Sequence, residues 1–325
     1  MTILNNSWFE SATFAAASQL VGALVIIYFG LVFFIRTLRF LRTLLPRNLA
    51  VRYGKGSWVL VTGASAGIGR AFCEELASKG FNIILISENQ EDLKKVDNVL
   101  RQTYPEIKTK VIVADFANSA EDGFFEKIIS QVEGLDISIL VNNVGIAGGG
   151  PFEIQPEKEV RNLVVINTLP QVMLTRKLLP QLAARTDRSA IIFLSSIMGT
   201  RPFPFFTIYS STKVFADFFA RALAEEHPEI DIISLRPVYV STNMTFNKQL
   251  NFGTLTAKEC VLGLFTKLGF ESSTAGHWRH TTYTTLRLGF IPDWLFKLSS
   301  RKECLKTMNE FQKDMEKVKG KTKTE

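Results

Sequence analysis

Tyr209 and Lys213 stand four residues apart in Tyr-Ser-Ser-Thr-Lys, so a helix through them puts a phenol and an ammonium on one face, a turn apart. A free tyrosine ionises at about pH 10 and is a weak acid-base catalyst at neutral pH unless a neighbouring cation favours its phenolate. Lys213 is placed to be that cation. The same spacing also describes an ordinary exposed helix pair, and the two residues by themselves do not choose between the readings. Thirteen residues before Tyr209, Ser196 ends the apolar run Ala190-Ile-Ile-Phe-Leu-Ser-Ser196. A hydroxyl at such a strand end can hydrogen-bond a carbonyl oxygen on a substrate, although Ser195 and Ser196 also suit a plain turn.

These side chains need a scaffold, and the chain supplies one after Gly54. Six nearly continuous apolar runs, at 58–63, 81–87, 110–116, 137–143, 190–196 and 231–237, have the composition of parallel strands covered on both faces. Helical stretches such as Ile68 to Gly80 separate them. The alternation predicts an α/β fold of Rossmann type, a doubly wound parallel sheet with ligands at the carboxyl ends of its strands. The first run leads into Thr62-Gly63-Ala64-Ser65-Ala66-Gly67-Ile68-Gly69 and then a helix. Glycines at that place allow a tight turn, let the backbone approach a pyrophosphate, and aim helix N–H groups at it, which indicates dinucleotide binding.

Composition sets outer bounds. At 325 residues, 46% hydrophobic, 21% charged and with 26 Phe, the chain suits one enzyme-sized domain with appendages and excludes disordered or collagen-like classes. Cys73, Cys260 and Cys304 are widely spaced with no C-x-x-C, against a disulfide framework or a structural zinc, and they suit a reducing compartment. His227, His277 and His280 are too scattered for a metal site, and none is expected. The net charge of +7 sits on two flanks: residues 36 to 55 hold six Lys/Arg and no acid, and residues 294 to 325 hold nine against five acids. Without basic and aromatic residues interleaved, nucleic-acid binding is not expected.

From Ser11 to Ile35 there is no charged residue, and Thr13 to Ile35 is long enough as a helix to cross a hydrocarbon core of about 30 Å. Glu10 precedes this run while Arg36, Arg39, Arg42 and Arg47 follow it, the reverse of a cleaved signal and an orientation that leaves the rest of the chain cytosolic. The expected organisation is a luminal end and transmembrane anchor over 1–35 and a basic amphipathic linker over 36–56, lying on the membrane or simply solvated. A catalytic domain over 57–270 and a C-terminal extension with a basic tail over 271–325 follow. Thr284 to Leu298 is too interrupted to span and reads as core or as a second interfacial contact. Lys321 and Lys323 near the end resemble a cytosolic dilysine signal, so the endoplasmic reticulum membrane, crossed once, is the expected location.

In chain order, the Thr62-Gly63-x-x-x-Gly67-Ile68-Gly69 loop, Asn142-Asn143-Val144-Gly145, Ser196, Tyr209-x-x-x-Lys213 and Pro237-x-x-Val240-x-Thr242 resemble the short-chain dehydrogenase/reductase family over roughly residues 57 to 245. The anchor, the Asn-Asn-Val-Gly variant and the long lipophilic C-terminal segment resemble its membrane-bound group, which contains very-long-chain 3-oxoacyl-CoA reductase and 17-beta-hydroxysteroid dehydrogenases type 3 and type 12. The resemblance implies that Tyr209 protonates a carbonyl oxygen, Lys213 lowers its pKa and holds the nicotinamide ribose, and Ser196 orients the carbonyl. Asn167 matches the family's fourth catalytic residue, which holds a water in the proton relay. Pro170 has no N–H for the Ile166 carbonyl, so that carbonyl is left free to bind the water. Gly63, Ser65, Gly67, Ile68 and Gly69 form the implied pyrophosphate loop. Asp115 is implied at the adenine, Asn143 on the adenosine side and Thr242 at the carboxamide, with Gly145, Pro237 and Val240 as further cofactor contacts. The family often dimerises through the helices that carry Asn167 and Lys213, so a homodimer is possible.

One position departs from the group. Cofactor choice falls at Ser87-Glu88, where the group commonly has Arg after the Ser to pair with the 2′-phosphate of NADP. Glu88 repels a phosphate and accepts from a 2′-hydroxyl, Ala66 supplies no base, and Lys94 or Lys95 would have to reach across. Residue chemistry favours NAD(H) and the resemblance favours NADP(H), which is the expectation, with NAD(H) as the alternative. Phe203, Phe205 and Phe206 before Tyr209 read as pocket wall or core, while Phe215, Phe218 and Phe219 read as core or a helix interface. Met244, Phe246, Leu250 and Phe252 follow Thr242 where the family closes over substrate. The expected activity is hydride transfer to the keto group of a lipophilic substrate, a long-chain 3-oxoacyl-CoA first and a steroid or retinoid second. A catalytically idle membrane scaffold is the alternative of another class.

Overall fold

The computed structural model describes residues 4–43, 48–286 and 291–321. Arg47, Arg287 and the tail from residue 322, with Lys323, lie outside the described residues. The chain divides into two units, Met1–Pro46 and Arg47–Glu325. The first carries one helix, α1 (Leu4–Thr43), and its 23-residue apolar run Thr13–Ile35 buries no described side chain. Lipid accommodates such an uncharged, largely apolar exposed surface better than water does, so α1 is a candidate membrane span.

In the second unit, a short helix α2 (Leu49–Tyr53) leads into β1 (Trp58–Thr62), α3 (Gly67–Ala77), β2 (Asn82–Ser87), α4 (Gln90–Thr103) and β3 (Thr109–Val113). Then come α5 (Phe124–Val132), β4 (Ile137–Asn142), α6 (Glu157–Ala183), β5 (Ser189–Leu194), α7 (Thr207–Glu226) and β6 (Ile230–Leu235). The chain ends with β7 (Tyr239–Ser241), β8 (Thr254–Thr256), α8 (Ala257–Phe265), β9 (Ser273–Thr274), α9 (Trp278–Thr284) and α10 (Asp293–Lys321). The main sheet has the order β3-β2-β1-β4-β5-β6-β9, with every neighbouring pair parallel. The order reverses between β1 and β4, and a crevice opens there at the strands' carboxyl ends.

The six apolar runs became the six long strands, with ends displaced by up to three residues. Alternation explains why both faces are covered: Val59, Val61, Ile83 and Leu85 pack against α3, α4 and α8, whereas Leu60, Ile84 and Ile86 pack against α5, α6 and α7. The two-residue β9 and the small β7–β8 pair went unforeseen because runs that short carry no period.

The 36–56 linker divides differently from its reading as one surface segment. Helix α1 continues to Thr43, and α2 belongs to the catalytic unit, with Leu49 and Tyr53 buried in its core. Arg52 forks onto Asp231 at the start of β6 (2.5 and 2.9 Å), the Tyr53 hydroxyl donates to the same carboxylate (2.7 Å), and Arg188 adds a third donor. Burial raises the Asp231 pKa, but the bonds from Arg52 and Tyr53 outweigh it and hold the group below its ordinary 3.8. A carboxylate depressed in the folded state contributes stability above pH 3.8 that is lost as the pH falls below it. Asp231→Ala strands Arg52 and Arg188, both partly exposed, and is expected to lower the urea-unfolding free energy by about 2 to 3 kcal/mol at pH 7. That deficit should shrink below pH 3.8.

Candidate active site

The glycine loop is shaped by contacts that leave no room for side chains. Gly63 (φ +64°) and Gly67 (φ +56°) lie in the left-handed region, and a Cβ on Gly63 would stand 2.8 Å from Asn143 Nδ2. A Cβ on Gly69 would overlap the Gly63 carbonyl, so Gly69 seats α3 against the loop. Asn143 fastens the assembly by donating from Nδ2 to the carbonyls of Thr62 (2.8 Å) and Gly63 (3.2 Å). The Thr62 hydroxyl accepts from the N–H groups of Asn143 and Val144 (2.9 and 3.0 Å). Helix α3 starts at Ala66 without a side-chain cap, which leaves its first N–H groups for an anion.

This loop borders a cavity of about 300 Å³. Every cofactor contact read from the sequence lines it except Gly69, which packs behind the loop. A glycine cradle, an uncapped helix start and a run of polar groups to the end of β4 fit a dinucleotide. At the end of β2, Ser87 bonds to Ser65 (2.9 Å) and Glu88 is exposed at the cavity rim. Lys95 pairs with Asp92 at 2.8 Å, and neither Lys94 nor Lys95 lines the cavity.

Tyr209 and Lys213 lie on the first turns of α7 and Ser196 follows β5, so the carboxyl end of β5 and the start of α7 bring the three together. The Lys213 ammonium is buried, donates to the Leu194 carbonyl at 3.0 Å, and lies 5.6 Å from the centroid of the Tyr209 ring. Burial pushes its pKa down to about 8. The Tyr209 phenol is raised by burial, and the group that draws it back is the Ser196 hydroxyl, its hydrogen-bond partner. Tyr209 therefore holds its proton at neutral pH while remaining accessible through the cavity. Ser195 donates to the Lys213 carbonyl (2.6 Å), and a Cβ on Gly199 would collide with the same carbonyl, so α7 docks by its backbone.

Asn167 is buried on α6 behind the cavity rather than in its lining. Its Oδ1 accepts from the Ile146 N–H (2.8 Å), and its Nδ2 donates to the Ile146 carbonyl (3.0 Å) and the Thr212 hydroxyl (3.1 Å). It clamps the loop after β4, and a Cβ on Gly145 would meet both Asn167 Oδ1 (3.1 Å) and Lys213 Nζ (3.2 Å). Pro170 sits inside the helix, and Ile166 lines the cavity.

A second cavity, of about 460 Å³, shares Ser196, Tyr209, Val238, Met244 and Thr245 with the first. Phe203, Phe206, Phe246, Phe296 and Phe311 supply its aromatic wall. Phe205 adopts φ +67° and is absent from the lining; its carbonyl accepts from Gly150 N–H at 2.7 Å. Phe219 packs on the core against Phe193, whereas Phe215 and Phe218 are exposed on α7. Sequence reasoning missed the part played by α10, whose Phe296 and Phe311 stack edgewise on Phe203 and Phe206. The spacing of Phe296, Ser300, Cys304, Thr307 and Phe311 carried the signal, since three- and four-residue steps mark one helix face. It also missed His280, a buried ring that accepts from Val238 N–H at Nδ1 and meets the Gly253 carbonyl at Nε2, both at 3.3 Å. Burial lowers its pKa to about 4 and keeps it neutral.

The strand order, the glycine cradle and the paired cavities define an oxidoreductase that works with a nicotinamide dinucleotide. The chain belongs to the short chain dehydrogenase family, whose model matches residues 57–251. It is 34% identical over 247 residues to very-long-chain 3-oxoacyl-CoA reductase of Bos taurus, covering 74% of this chain and 77% of that one. It is 38% identical over 231 residues to very-long-chain 3-oxoacyl-CoA reductase-A of Danio rerio, covering 69% and 71%. A solved structure described under 7beta-hydroxysteroid dehydrogenase stereoselectivity aligns with TM-score 0.67 at 26% identity, over 81% of this chain and all of that one. A short-chain dehydrogenase from Sphingobium yanoikuyae in complex with NADPH aligns with TM-score 0.59 at 25% identity, over 65% and 84%.

Because the folded pKa of Lys213 lies below its unfolded 10.5, the buried charge destabilises the fold at neutral pH, and stability rises as the pH climbs from 8 towards 10.5. Lys213→Met should therefore raise the unfolding free energy at pH 7 by about 1 to 2 kcal/mol, after the loss of the Leu194 bond is counted. Denaturation of nucleotide-free protein at pH 7 and pH 10 checks this, the gain being smaller at pH 10.

Proposed function

We propose that this protein is a membrane-anchored reductase that transfers hydride from a nicotinamide cofactor to the keto group of a long-chain 3-oxoacyl-CoA. The carrying observation is that Tyr209 and Ser196 line both cavities, one built around a glycine cradle and the other walled by aromatic rings. The named relatives support the acyl-CoA as the substrate class. When bound, the cofactor supplies the hydride. Tyr209, its phenol kept protonated by burial, gives its proton to the carbonyl oxygen, and the Ser196 hydroxyl orients that oxygen. Lys213, charged below about pH 8, stabilises the phenolate that remains, and Asn167 holds the Ile146 loop against the site. The domain order read from the sequence, with the catalytic unit on the cytosolic side of the endoplasmic reticulum membrane, completes the reading.

Single-turnover oxidation of the reduced cofactor by detergent-solubilised protein is the test, with a long-chain 3-oxoacyl-CoA and then a 17-ketosteroid. Turnover of the acyl-CoA is expected, and a response to the steroid alone would move the assignment to hydroxysteroid chemistry. Tyr209→Phe should cut the rate by about 10²- to 10⁴-fold with an unchanged circular dichroism spectrum. An unaltered rate would remove Tyr209 from the chemistry.

For the cofactor, the resemblance keeps NADP(H) as the expectation, while the charged groups that line the end beyond β2, Glu88 and Asp115, are carboxylates and suit NADH as the alternative. Glu88→Arg should raise kcat/KM with NADPH relative to NADH by about tenfold or more, through a charge-assisted bond to the 2′-phosphate. A wild-type preference for NADPH that Glu88→Arg leaves unmoved would show that Glu88 takes no part in the choice.

A further inference from the structure

Three segments wall the aromatic cavity, and each carries apolar side chains on its outer surface. The loop after β7 sends Phe246 inwards, while Leu250 and Phe252 are more than half exposed. Helix α9 contributes Tyr283 to the lining and leaves Trp278 exposed, with Leu286 exposed just beyond its end. The first turns of α10 turn Phe296 inwards and Trp294 and Leu298 outwards. Six large apolar side chains on the outside of one wall are far from the scattered single residues of an ordinary soluble surface.

Basic residues join the apolar ones on α10: Trp294, Leu298, Arg301, Lys302 and Leu305 are all exposed, and none of them lines the cavity. Apolar residues with tryptophan and lysine or arginine on one exposed face suit the boundary between lipid headgroups and acyl chains. The same chain carries the apolar span Thr13–Ile35, so a bilayer is the apolar surface at hand.

We propose that the outer face of this wall, formed by Leu250, Phe252, Trp278, Leu286, Trp294 and Leu298, seats in the surface of a lipid bilayer and that the aromatic cavity draws its substrate from there. The second half of this inference rests on reading that cavity as the substrate pocket. The seating itself can be measured without turnover. Full-length Leu298→Cys with Cys304→Ser carries one accessible thiol, because Cys73 and Cys260 are buried and line neither cavity. Labelled with bimane and reconstituted in phosphatidylcholine vesicles with a shallow doxyl label on the chains, it should lose about half its emission. Phosphatidylserine should deepen the loss, and Arg301→Glu with Lys302→Glu should remove the added part. Val99→Cys on α4, again with Cys304→Ser, is exposed but away from the wall and should be quenched little under the same conditions.

Equal quenching at positions 99 and 298, or none at 298, would overturn the proposal. So would disulfide formation between two Leu298→Cys chains with the 298 label shielded from lipid, because a second copy would then cover the face. Quenching at 298 in a protein that fails to reduce any long-chain ketone would uphold the seating and sink the substrate reading alone.

Discussion

An ammonium surrounded by protein has to keep its charge at neutral pH, and the site is organised around that requirement at Lys213. Burial draws its pKa to about 8, so the amine stays protonated in the neutral range with little margin. The Leu194 carbonyl at the end of β5 is its hydrogen-bond partner. Around it the backbone is pinned: Ser195 bonds the Lys213 carbonyl, Gly199 gives the helix room to dock, and Gly145 leaves space between the amine and Asn167. Lys213 and Tyr209 share one helix, so the contacts that hold the amine also place the phenol where the two cavities meet.

The arrangement has a direction. The glycine cradle, the uncapped start of α3 and the Asn143 clamp form one side of the first cavity, contributed by the first half of the sheet. The other cavity is lined mostly by chain after Ser195 and closed by the C-terminal helix. Val238 belongs to both, and His280 bonds its N–H from a buried position on α9. A neutral imidazole suits that place, because it accepts at one nitrogen and donates at the other without bringing a charge into the core. The extension that closes the aromatic cavity is thus fastened to the loop between the two cavities.

Much of the site was legible because its parts are local. The Thr62–Gly69 loop, the run ending at Ser196 and the Tyr209–Lys213 spacing each lie within a few residues, where periodicity and backbone freedom have direct sequence signatures. Parallel strands buried on both faces are legible for the same reason, since their apolar runs need no partner to be recognised. Other features had no local signature. The left-handed Phe205, the turn of α2 into the core and the position of Asn167 behind the cavity depend on contacts with distant chain.

By itself the sequence determined the alternation of strands and helices, the glycine loop, the tyrosine, lysine and serine set, and an apolar run long enough to cross a bilayer. Tertiary structure decided what surrounds them. It set the lysine at a lowered pKa through burial, gave the phenol a serine partner, placed carboxylates without a lining lysine at the far end of the cofactor cavity, and laid α10 over the aromatic pocket. The reason is physical: chain connectivity dictates local conformation, whereas desolvation, ion pairing and cavity shape arise only when segments a hundred residues apart exclude water together.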